Sequence, residues 1–228
     1  MDDFVDLVRP ATLRSQVENY LRNAISEGRF KPGERLIERE LCEQMKISRP
    51  SLREALRALE AEKLIVNVPH RGPLVASITV DEAKDLYAIR ALMEGFAAQE
   101  FARLADDALV GQLGLAIAGL RVATASGDKH AMLEEGAKFY EILLSGCQNK
   151  LVMEILKSLF LRIKILRSTS LNKPERAGPS LRELEAVYQA IASRKPLEAK
   201  ELAQAHVVNA EKSALEMLTE PPAAAGKA

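Results

Sequence analysis

"SRPSLREALRALE", residues 48–60, places Leu52, Leu56 and Leu59 at helical spacing and sets Arg49, Arg53 and Arg57 four residues apart along one side of the same helix. Three cations beside a buried edge suggest a helix offered to something outside the fold. Upstream, "KIS" (46–48) is a tight turn, and Ile37, Leu41 and Met45 mark a short helix before it. "RFKPGERL" (29–36) carries a Pro-Gly turn, and residues 12–27 form a first helix through Leu13, Val17, Leu21, Ala24 and Ile25 that Gly28 ends. The quoted helix starts near Ser48 with Pro50 in its first turn, where a missing N–H is harmless; Ser51 with Glu54 is an alternative capping box.

Downstream, "LIVNV" (64–68) and "LVASI" (74–78) are β-branched runs joined by "PHRGP". A short helix, a turn, a second helix and a hairpin make a winged helix-turn-helix, whose second helix suits the DNA major groove. Arginine pairs with phosphate oxygens there and reads guanine O6 and N7 bidentately. The competing reading is a solvated face on which Arg53 and Arg57 pair with glutamates such as Glu60.

Beyond residue 78 the pattern is helical throughout. "TVDE" (79–82) is a capping box opening an amphipathic stretch through Leu86, Ile89, Met93, Phe96 and Phe101, and Ser180 with Glu183 is a second box. Breaks fall at Leu104–Asp107, "SGDK", "GCQN", "NKPERAGPS" and "RKP", and Gly111, Gly114 and Gly119 weaken one helix. The fold expected is mainly α: a winged helix-turn-helix domain over residues 1–77, an all-helical antiparallel bundle over 78–220, and a disordered tail, 221–228.

Lys plus Arg and Asp plus Glu are balanced at 32 each, and over residues 1–77 the count is 13 against 12, so any DNA affinity rests on placement and on dimerisation. Cys42 and Cys147 lack metal spacing and fit a reducing compartment. The N-terminus has no apolar signal core, and no stretch is expected to reach the roughly 20 apolar residues of a membrane span. A cytoplasmic protein with no membrane partner is expected.

The segment "KPGERLIERELCEQMKISRPSLREALRALEAEKLIV" (31–66), followed by "PHRGPLVASI" (69–78), resembles the DNA-binding domain of the GntR family of bacterial transcription regulators. Its most specific element is S-R-x-x-x-R-E-A-L-x-x-L, matched from Ser48 to Leu59. The remainder, opening with "DEAKDLYAIRALMEGFAAQEFA" (81–102), resembles the effector-binding domain of the FadR-like (FCD) subfamily. The resemblance implies DNA contacts from Arg39, Ser48, Arg49, Ser51 and Arg53, with Arg71 and Gly72 at the wing tip. One departure is Lys63, where the family usually has glycine.

Many FCD members are similar in a metal site made of an aspartate, a histidine four residues later and two further histidines. The matching positions here are Gly136, Tyr140, Leu184 and His206, of which only His206 is a standard ligand. Glu135 lies about 100° around the helix from Gly136. No bound metal and no cofactor are therefore expected. Arg90 matches a family arginine facing the cavity, so Arg90, Tyr140 and His206 are the expected donors to an anionic effector. The alternative is that Arg90 pairs with Glu94, Tyr140 is a core phenol and His206 is a satisfied buried histidine. Arg162, Arg167, Tyr188 and Asn209 rank lower.

The function expected is a ligand-responsive regulator, more readily a repressor, binding a palindromic operator as a homodimer and sensing a small organic acid. An acyl-thioester or largely apolar effector is the runner-up. A helical enzyme using Tyr140 and His206, or a protein-interaction module, completes the alternatives; no nucleophile motif or phosphate loop supports catalysis.

Overall fold

The computed structural model describes residues 13–26 and 28–219; the tail expected at 221–228 lies outside them. The chain divides into two compact units, Met1–Ser77 and Ile78–Ala228. In the first, α1 (Leu13–Ser26), α2 (Glu38–Met45) and α3 (Arg49–Ala61) precede a hairpin of β1 (Ile65–Val68) and β2 (Gly72–Val75). α1 packs on α3, where Leu21, Leu52 and Leu59 are fully buried. Ser48 is the cap of α3: its hydroxyl accepts the Ser51 N–H at 3.3 Å, and the Ser51–Glu54 alternative falls away. Pro50 sits in the first turn without cost.

α3 ends in a Schellman-type turn, with the Leu64 N–H donating to the Leu59 carbonyl at 2.9 Å. That turn holds Lys63 at φ 57°, the left-handed conformation glycine adopts freely. The chain then enters the antiparallel ladder, Ile65 opposite Val75 and Val68 opposite Gly72. The Pro-Gly turn joins it from the side, through Leu36 N–H to the Pro73 carbonyl and a bridge between Arg35 and Leu74.

Among the described residues, the second unit holds six α-helices: α4 (Val80–Leu104), α5 (Asp107–Ser126), α6 (Lys129–Gly146), α7 (Lys150–Ser170), α8 (Ala177–Ala192) and α9 (Pro196–Thr219). Thr79 and Glu82 form the expected capping box at the start of α4. α4 lies along α9, α5 packs between α6 and α8, and α7 closes against α9 and α4. One core gathers Ala97, Phe101, Leu113, Phe139, Leu143 and Ile191; a second joins Leu86, Tyr87, Leu166, Val207 and Ala214. Glycine at 146 lets α6 approach the Phe101 ring, in space a Cβ would occupy.

Two expectations are corrected. Ser180 does not cap a helix: a 3-10 turn at Pro174–Arg176 runs straight into α8, so Ser180 is already helical and Glu183 is committed elsewhere. And α5, thinned by alanine and glycine to the eye, is long and apolar enough to cross a membrane by length and composition. Leu113, Ala116, Ile117, Leu120 and Ala123 on one side of it are buried in the bundle instead.

Candidate DNA interface and effector cavity

Arg49, Pro50, Arg53, Glu54 and Arg57 line one shallow groove on the first unit. Arg53 Nε donates to both oxygens of Glu38 on α2, at 3.0 and 3.1 Å, yet its side chain is 62% exposed. Arg57 pairs with Glu54 at 2.8 Å, so the glutamates that answer these arginines are Glu38 and Glu54 rather than Glu60. Arg39, Arg49 and Arg71 are exposed and make no side-chain hydrogen bond or ion pair among the described residues. Ser48 and Ser51 share a hydroxyl–hydroxyl hydrogen bond of 2.9 Å at the helix N-terminus, where free N–H groups and the helix dipole favour anions. Gly72 at the wing takes φ 79° with open space around it. Exposed ion pairs contribute about 0–1 kcal/mol, so a phosphate can displace Glu38 from Arg53 at little cost.

In the helical unit, a cavity of about 50 Å³ is lined by Arg90, Gly136, Tyr140, Arg167, Leu184 and His206, among others. All three expected effector residues therefore meet at one place, together with the two positions that carry no metal donor. Arg90 is fully buried; its Nε donates to Glu94 at 2.9 Å, and its guanidinium lies 4.9 Å from the Tyr87 ring centre. Glu94 also accepts from Arg167 Nη2 at 3.3 Å, and the Arg167 guanidinium stacks 3.5 Å from the Tyr140 ring centre. Two guanidiniums thus share one carboxylate, leaving a buried unit of positive charge. Burial alone would raise the Glu94 carboxyl, but Arg90 and Arg167 outweigh it and hold it below its ordinary range.

Three buried donors in this cluster have no partner: Arg90 Nη1, Arg167 Nε and the Tyr140 hydroxyl. Burial pushes the Tyr140 phenol up to about 12, so it stays a neutral O–H. Such groups are costly when unsatisfied, and here all three belong to residues that line one small cavity.

His206 carries a different arrangement. Its Nδ1 lies 2.7 Å from Glu183, which also accepts two hydrogen bonds from Arg176 and one from Asn209. Burial would raise Glu183, but the hydrogen bonds from His206 and Arg176 bring it down to about 2. Burial lowers the His206 pKa below 6.5, so the ring is neutral at pH 7. An ionised Glu183 requires the Nδ1–H tautomer, which leaves Nε2 as an acceptor, becoming a donor only on protonation.

Arg167, ranked low on sequence, belongs to the cavity; Arg162 turns instead to Glu82 at 3.2 Å. The legible signal was Arg167's place four residues after buried Ile163 and three before buried Ser170, on one face of the helix. Asn209 supports Glu183 from behind, and Tyr188 lies over Gly114, where a Cβ would come within 2.7 Å of its hydroxyl. Glu135 pairs with Lys138 beside Gly119 and does not line the cavity. Among the described residues, no three of His, Cys, Asp and Glu converge in a metal-binding group.

Comparison with known proteins matches residues 13–75 to bacterial regulatory proteins of the gntR family and residues 85–209 to the FCD domain. The chain is 28% identical over 209 residues to the HTH-type transcriptional regulator YdhC of Bacillus subtilis (strain 168), covering 91% of both proteins. It is 26% identical over 165 residues to the gluconate operon transcriptional repressor of the same organism, covering 70% of this chain and 68% of that protein. In fold it is similar to a GntR transcriptional regulator from Rhodococcus sp. RHA1, with TM-score 0.77 and 24% identity over 89% of this chain and 97% of that one. The winged helix-turn-helix and the helical bundle are the two halves of one regulator architecture, not an enzyme's: this chain belongs to the GntR family of transcriptional regulators, in the class that carries an FCD domain.

Proposed function

We propose that this regulator is a repressor that binds a palindromic operator as a homodimer in the cytoplasm and responds to a small anionic metabolite held without metal. Repressors among its relatives favour that sign of control. Arg39, Ser48, Arg49, Ser51 and Arg53 contact DNA from α2 and α3, and Arg71 and Gly72 contact it from the wing. Arg90, Tyr140 and His206 receive the effector, with Arg167 as a fourth partner. The observation that carries the effector reading is the set of three unpartnered donors beside a net positive charge, on residues that line one small cavity.

Small carboxylates should raise the melting temperature of the protein with no metal added. Arg90→Ala should remove that shift while leaving operator binding intact. A response that survives Arg90→Ala, or that needs a stoichiometric metal, sinks the direct-anion reading.

The dimer reading draws support from α5. Ala108, Gly111, Leu115, Ala118, Val122 and Ala125 are exposed and follow the alternating three-and-four spacing of a helix–helix seam, with Leu115 and Val122 at 73% and 72% exposure. A two-fold axis through Ala118 would set Leu115 of one copy against Val122 of the other, a self-complementary face. Leu115→Glu should convert the dimer to monomer in light scattering; an unchanged mass would move the interface elsewhere.

A further inference from the structure

The cavity holding the cationic cluster is too small for a whole metabolite. About 50 Å³ accommodates one or a few waters, or a single carboxylate. The stacked pair of Tyr140 and Arg167, however, lines a second cavity as well, between α6 and α7. This one is about 340 Å³, within the range of ligand sites, and its walls include Ala137, Leu144, Met153, Leu156 and Ile163. Glu94, the counter-charge to both arginines, stands at the same end of it as Arg167 and Tyr140.

We propose, building on the effector reading above, that the α6–α7 cavity is the site for the apolar body of the effector, whose carboxylate docks on Arg167 and Tyr140 at the shared wall. The ligand class is then a monocarboxylate with an unbranched or aromatic apolar tail, not a small polyhydroxylated acid. The lining also carries Lys157 and Glu141, and it is the unmet donors of Arg167 and Tyr140 that choose the carboxylate end. A carboxylate there meets the side chains of Arg167 and Tyr140, whose Nε and hydroxyl have no other partner, and supplies a second negative charge to a cluster that has one carboxylate for two guanidiniums. The apolar tail displaces water from the aliphatic members of the lining, Ala137, Leu144, Met153, Leu156 and Ile163. Arg167 is the specificity-determining residue because it alone among the cavity cations lines both spaces.

The test is calorimetric titration of the full chain with straight-chain carboxylates from two to ten carbons, and with the primary alcohols of the same lengths. Affinity should rise about threefold to fourfold per methylene until the cavity is filled, and the alcohols should bind at least tenfold more weakly than the acids. Ala137→Phe, which occupies the cavity, should flatten the length dependence while short acids still bind; Ala137→Leu gives a graded version should the larger ring disturb folding. Arg167→Met should abolish binding of long and short acids alike. Short acids that bind with no gain from length overturn this inference and leave the anion reading standing. Alcohols that match the acids overturn the docking of a carboxylate, and with it the anion reading. Absence of binding by every acid overturns both.

Discussion

Arg53 and Arg90 each hold a glutamate at about hydrogen-bonding distance, 3.0 Å to Glu38 and 2.9 Å to Glu94, yet one lies open on α3 and the other is sealed inside the bundle. In water, the first pair is nearly free to exchange one anion for another. In the interior the second has given up hydration for partners, and the cluster around it is incomplete: two guanidiniums, one carboxylate and three donors left over. The same chemistry therefore serves opposite purposes. On the function proposed above, the surface pair keeps a DNA-reading arginine extended and replaceable, and the buried one keeps charge poised for a ligand.

The largest effect should come from breaking the buried side. Glu94→Ala leaves Arg90 and Arg167 without a counter-charge and should cost about 3–5 kcal/mol, a drop of roughly 6–20 °C in melting temperature. A carboxylate ligand should recover part of that loss in this variant; failure of any carboxylate to do so would show that the orphaned charge is not accessible. On the surface side, Arg49→Ala and Arg53→Ala should each weaken operator binding about tenfold to a hundredfold in gel-shift titrations, with melting temperature almost unchanged. A loss of stability comparable to Glu94→Ala would erase the contrast. Arg57→Ala should change operator affinity less than either.

Acid sharpens the comparison further. Glu183 is depressed to about 2, so the stability it contributes is present above its ordinary 4.5 and drains away as pH falls towards 2. His206 is depressed below 6.5 by burial, so the unfolded chain takes up that proton first and stability also falls with pH below 6.5. Denaturant midpoints between pH 7 and 5 should therefore decline, and His206→Gln should remove that limb while weakening, through the changed partner of Glu183, the one at lower pH. The smallest effect expected is Lys63→Gly, which relieves a left-handed lysine and should stabilise the winged unit by roughly 0.5–1 kcal/mol in thermal unfolding.

These contrasts were unequally legible in the amino-acid order. Local rules located the reading head: Ser48 as cap, the leucine edge of α3, the hairpin and the Thr79–Glu82 box all follow from spacing within a few residues. The cavity depends on residues 73 positions apart, as Glu94 and Arg167 are, and no local pattern couples them. Arg90, Tyr140 and His206 were found because a resemblance supplied their positions. Ser180 was misread for a physical reason: Pro179 looks like a helix breaker, but in a first turn it lacks only an N–H that had no partner. The helix could therefore begin at Ala177, freeing Glu183 to bind His206 and Arg176.

The wall shared by the two cavities has a consequence for how such a sensor diversifies. Tyr140 and Arg167 belong to α6 and α7 and line both spaces, whereas Ala137, Leu144, Met153 and Leu156 line the larger space and are absent from the lining of the smaller one. If the larger cavity holds the effector's tail as proposed, drift at those four positions retunes which molecule is perceived while the proposed charge detector and DNA-reading helix stay as they are. A lineage, or a laboratory selecting reporter strains, can thus change the vocabulary of the sensor without relearning its grammar.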